Sequence, residues 1–135
     1  MRLKVIACEV LYRELHVLAT ECGHEVQLAF QKFGLHDEPD KLRSETQRAI
    51  DETPSDGVDY IALGYGICSN GLAGICAREI PLVIPRAHDC ITLFLGSKER
   101  YAEEFRRHPG TYYYTAGWIE RKEGTQEDGV MKSQQ

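Results

Sequence analysis

The chain has 135 residues, 42% hydrophobic and 27% charged, a balance that fits one self-folding globular domain and excludes a disordered polymer. Sixteen basic against 21 acidic residues leave a net charge of −5, which argues against nucleic acid as a partner. No apolar run reaches the roughly 20 residues of a spanning helix, and the start Met1 to Ala7 meets Glu9 too soon for a secretion signal. A cytoplasmic protein with no membrane partner is expected. The five cysteines, at 8, 22, 68, 76 and 90, are too dispersed for a disulfide framework and are read as reduced thiols.

Residues 3 to 7 read as a first strand, and Leu11, Leu15, Leu18 and Cys22 then fall on one face of a helix that Gly23 stops. His24 to Phe30 alternates as a half-buried strand, followed by a loop carrying Gly34 and His36. Pro39 opens a second helix whose face is Leu42, Thr46, Ala49 and Ile50, broken at Pro54 to Gly57. Tyr60 to Gly64 has the apolar continuity of a third strand buried on both faces and leads into the glycine-rich run Gly64 to Gly71. A short third helix with Leu72, Ile75 and Cys76 on its face is expected next, then a fourth strand, Pro81 to Pro85. Ile91 to Leu95 forms a helical turn, Gly96-Ser97 re-caps, and Tyr101 and Phe105 share the following helix face. Gly110 to Thr115 reads as a fifth strand, and residues 121–135 as a polar, disordered tail after a single domain over 1–120.

Strands alternating with helices predict a three-layer Rossmann-like, flavodoxin-like α/β domain with a five-stranded, mostly parallel sheet in the order 2-1-3-4-5. In such a sheet the carboxyl ends of the strands share one edge, and a crevice forms where the strand order reverses. Cys8 follows the first strand, Cys68 the third, and His88, Asp89 and Cys90 the fourth. Neighbouring strands stand about 4.8 Å apart, so loops at those tips can gather Cys8, Cys68, His88 and Cys90 around one metal ion. Cysteine is also a small core hydrophobe, and that reading is preferred for Cys22 and Cys76 on their helix faces.

Asp89 is placed to orient the His88 ring, or simply to cap the next turn; Arg86 offers a fixed positive charge to an anionic ligand. His36 either joins the site or solvates its loop, while His16, His24 and His108 read as surface residues. Gly64, Gly66, Ser69, Asn70 and Gly71 form a loop whose amides can approach a phosphate or cofactor, although its spacing is not the dinucleotide-binding G-x-G-x-x-G. A tight strand-to-helix turn explains the same glycines. At a helix start Cys68 would be favoured as thiolate, suiting ligation or nucleophilic attack.

The runs Ile6 to Val10, Gly34-Leu35-His36, Leu63 to Gly71, Ile84 to Ile91, Pro109 to Tyr113 and Gly117-Trp118 closely resemble domain-of-unknown-function family 1638 over about residues 3 to 120. The resemblance implies no established activity. Members occur in methanogens and anaerobic bacteria, often beside corrinoid-dependent methyl-transfer systems, which implies a place in anaerobic one-carbon metabolism. Family members generally continue beyond Gly117-Trp118 with a helical portion, so this chain is expected to lack it.

Three functions compete. In the first, a metal, zinc or an iron–sulfur cluster, is held by Cys8, Cys68, Cys90 and His88. In the second, a metal-free thiol enzyme uses Cys68 as nucleophile, His88 as base and Asp89 as its orienter. In the third, a non-catalytic module presents Arg86 and the glycine loop to a corrinoid, an anionic cofactor or a corrinoid protein. The aromatic strand Tyr112-Tyr113-Tyr114 suggests an edge for a homodimer.

Overall fold

The computed structural model describes residues 1–32, 34–66, 71–87, 90–95 and 97–110. Four parallel strands form one sheet in the order β2-β1-β3-β4: β1 Arg2–Cys8, β2 Glu25–Gln31, β3 Tyr60–Gly64 and β4 Leu82–Val83. The helices are α1 Tyr12–Glu21, α2 Pro39–Asp51, α3 Cys90–Leu95 and α4 Lys98–Arg107, with short 3-10 turns at Glu9–Leu11 and Leu35–Asp37. Pro39 stands in the first turn of α2, where its missing N–H has no helical partner to lose. Ser97 caps α4 by accepting from the Arg100 amide at 3.1 Å.

Alternation along the strands divides the core between the two faces of the sheet. Ile6, Ile61 and Leu63, almost wholly buried, pack with Leu42 and Ile50 of α2; full burial of one such side chain stabilises by about 1.5–3 kcal/mol. Ala7 points the other way, to a smaller cluster with Val10 and Leu11 that Leu15 of α1 and Leu93 and Phe94 of α3 partly cover. A right-handed crossover from β1 to β2 and another from β2 to β3 run in opposite directions across the sheet, which puts α1 and α2 on opposite faces. α3 lies with α1, not with α2.

The described strands follow the expected order 2-1-3-4-5 through its first four members. The described sheet has four strands; the expected fifth lies outside the described residues except for Gly110, which sits in a turn.

The expected third helix also fails. Residues 71–74 make a turn and the chain runs irregularly to β4, with only Leu72 and Ile80 buried in the main cluster. Glycines at 71 and 74 weaken helix formation there, and the apolar residues find the core without it. In consequence Cys76 is exposed, and its amide donates to Gln47 Oε1 at 2.8 Å. Cys22 is exposed as well, because α1 is anchored at its amino end and buries no residue fully. Neither thiol is a core residue. His16, though exposed, lies against Phe30 at a ring-centroid distance of 5.8 Å and beside Tyr12 at 4.4 Å.

Candidate functional site

The parallel register brings the strand ends to one edge: Cys8 is opposite Gln31 of β2, and Ala7 opposite Gly64 of β3. The chain leaves β1 for β2 on one side and returns to β3 on the other, so the order reverses between β1 and β3, where crevices open in such sheets. Cys8, the last residue of β1, is partly buried and touches both core clusters.

Beneath this edge lies a polar network of three side chains. Tyr65, one residue beyond β3 and 6% exposed, donates its hydroxyl to Gln31 Oε1 at 2.8 Å. Thr46 of α2, fully buried, donates to the same oxygen at 3.0 Å. Burial raises the Tyr65 phenol well above its ordinary pKa, and the neighbouring Cys8 and Glu9 push it further the same way. Tyr65 is thus held protonated beside Cys8 as a donor. Sequence reasoning passed over Tyr65 because it stands between two loop glycines, and over Gln31 because its strand looked half exposed; Thr46 on an otherwise apolar helix face was the available signal.

Gly64 and Gly71 are explained by packing. A Cβ on Gly64 would lie 2.6 Å from Ala7 Cβ, and one on Gly71 would lie 2.4 Å from Leu42 Cδ2. The close approach these glycines permit is to the protein's own core. Gly66 is partly buried and Arg86 exposed. Cys90 opens α3, which begins seven residues after Val83 ends β4, but its side chain is not described. Cys68, Ser69, Asn70, His88 and Asp89 lie outside the described residues, and of His36 only the backbone, in the 3-10 turn Leu35–Asp37, is described. Among the described residues no three His, Cys, Asp or Glu side chains gather closely enough to hold a metal ion. Cys8 is the one member of the expected ligand set whose side chain is described.

Two clefts flank the edge. One, of about 470 Å3, runs between β2 and α2 past Gln31, Lys32, Lys41 and Arg48; Arg48 is paired with Glu45. The other, of about 480 Å3, lies between α1 and α3 and is lined mostly by apolar side chains.

A parallel sheet with helices on both faces, its strand order reversing between β1 and β3, defines an α/β protein. The chain belongs to the family described as Protein of unknown function (DUF1638), whose profile matches residues 30–135. The match runs through residues 121–135, the segment read as a polar tail. No curated protein and no solved structure matches the chain. No helix among the described residues is long and apolar enough to cross a membrane.

Proposed function

We propose that the carboxyl edge of the sheet is a metal site with Cys8, Cys68, Cys90 and His88 as ligands, in a cytoplasmic protein of corrinoid-linked one-carbon metabolism. The observation that carries the reading is where Cys8 stands: it ends β1 at the point where the strand order reverses, between β2 and β3. Cys68 follows the end of β3 by four residues, and His88 and Cys90 follow the end of β4 by five and seven. Connections of four to seven residues reach up to roughly 14–25 Å when extended, long enough for each candidate ligand to come to the β1 edge. The metabolic context rests on the family resemblance, not on the geometry.

Zinc suits a donor set of thiolates and imidazole; four protein ligands close the site, whereas three leave one position for a substrate thiol or water. The chain's own part is clearer. Gln31, Thr46 and Tyr65 stiffen the edge under Cys8, and Arg86, exposed two residues before His88, offers positive charge to an anionic ligand.

Elemental analysis of anaerobically purified protein tests the proposal. Near-stoichiometric zinc or iron in wild type, abolished in Cys68→Ala and in Cys90→Ala, supports ligation. Absence of metal, with one thiol alkylating far faster than the other four, instead favours Cys68 as a nucleophile with His88 as base.

A further inference from the structure

We infer that the cleft between β2 and α2 binds a small organic carboxylate with an apolar body, whose charged end meets Gln31, Lys32 and Lys41. The cleft holds about 470 Å3, within the usual range for small-molecule sites. Ile6, Ala29, Leu35 and Ala49 give it an apolar lining. Its charged lining residues are three basic and two acidic, a local excess of positive charge on a chain whose net charge is −5. Arg48 and Glu45 neutralise each other as an ion pair. Lys32 and Lys41 are exposed and, among the described residues, in no ion pair, so they outnumber the remaining carboxylate, Glu52.

Gln31 supplies a fixed donor. Its Oε1 accepts from the Tyr65 hydroxyl at 2.8 Å and from the Thr46 hydroxyl at 3.0 Å, which turns the oxygen of the amide toward the buried side and holds the group in place. Nε2 carries two N–H donors and has no hydrogen-bond partner among the described residues. Glu14 Oε1 is the one buried, unpartnered side-chain polar atom among those residues, so Nε2 keeps accessible surface, on a side chain that lines the cleft. A donor already oriented spares an incoming acceptor the cost of ordering it. A carboxylate bound there gains charge-assisted hydrogen bonds from the ammonium groups as well. A cationic molecule would meet Lys32 and Lys41 as like charges, and a neutral one would forgo their attraction, which gives the site a charge preference as well as a shape. This inference does not depend on the metal reading, since none of these side chains belongs to the proposed ligand set.

Fluorescence titration of the full chain with two dansyl probes tests it, at about pH 8, where lysine and glutamate side chains are both charged. The probes are dansylglycine, a carboxylate, and dansylglycinamide, its neutral counterpart. Wild type is expected to bind the carboxylate at least ~10-fold more tightly. Lys32→Gln with Lys41→Gln should reduce that preference to within ~2-fold and leave the affinity for the amide unchanged. Gln31→Glu keeps an acceptor for both buried hydroxyls but exchanges the donor for a second carboxylate oxygen, so it should weaken dansylglycine ~10-fold. Should that variant fail to fold, the lysine pair decides alone, both lysines being exposed. Arg100→Gln with Arg106→Gln, on α4 and outside the cleft lining, removes the same charge and should change neither affinity. Equal affinities in wild type, a preference that survives the lysine substitutions, or no binding of either probe overturns the inference. So does an equal loss in the α4 pair, or undiminished dansylglycine binding by folded Gln31→Glu.

Discussion

Tyr65 Oη donates to Gln31 Oε1 at 2.8 Å, joining the chain just past β3 to the last residue of β2 beneath the strand that separates them. Because Thr46 shares the same acceptor, the edge is cross-linked to α2 as well. Tyr65→Phe and Thr46→Val should each cost about 1 kcal/mol in urea unfolding. Gln31→Leu, which strands two buried hydroxyls, should cost more than either. Coupling between Tyr65 and Thr46 in a double-mutant cycle would be non-zero, as expected for donors sharing one atom.

Gly64→Ala should destabilise through the contact with Ala7 Cβ, which is held close to the backbone and cannot swing away. Gly71→Ala meets the far end of Leu42, which can rotate, so its cost should be smaller. Overpacking of this kind typically costs about 1–3 kcal/mol. Adding Ala7→Gly should recover part of the loss at Gly64 and none of the loss at Gly71, measured by denaturant midpoints.

Among the described residues, two carboxylates with pKa values lowered on folding contribute to the acid limb of stability. Asp59 accepts from the Arg2 amide at 2.7 Å and pairs with its guanidinium, and these bonds hold its pKa below the ordinary 3.8. Asp51 is lowered likewise by hydrogen bonds from Arg78 and Gln47. A pKa depressed on folding contributes stability that is present above the unfolded value and lost as pH falls through the folded one. Urea midpoints should therefore be flat in this respect above about pH 5 and fall below about pH 4. Asp51→Asn with Asp59→Asn should flatten that decline, and an unchanged acid limb would contradict the assignment.

Thiol accessibility gives an independent check on the fold. Cys22 and Cys76 are exposed and Cys8 is partly buried, so a maleimide pulse on native protein, read by peptide mass spectrometry, should label Cys22 and Cys76 before Cys8. Equal labelling of all three would mean that β1 does not end inside the sheet edge.

Much of the framework is legible in the sequence, for identifiable reasons. β3 has an unbroken apolar run bounded by turn residues, and α2 has a proline start and a face of Leu42, Thr46 and Ile50, all buried as expected. The periodicity of Leu72, Ile75 and Cys76 misled because a few apolar residues beside glycines satisfy a helix pattern and a core-seeking turn equally well. Leu11, Leu15, Leu18 and Cys22 misled in another way: the helical spacing is real, but the face it predicts is buried only at its amino end, and Leu18 opens to solvent. The position of Cys8 followed from strand topology alone. The Gln31–Tyr65–Thr46 network did not, since three polar residues from three separate elements carry no shared local pattern.

X-ray absorption at the zinc or iron edge of anaerobically purified protein tests the metal site most directly. Bound zinc should show three sulfur scatterers at ~2.3 Å and one nitrogen at ~2.0 Å, the distances of thiolate and imidazole, with one sulfur lost in Cys8→Ser. A shell of oxygen and nitrogen alone, a sulfur count unchanged by Cys8→Ser, or protein that carries no metal would contradict it.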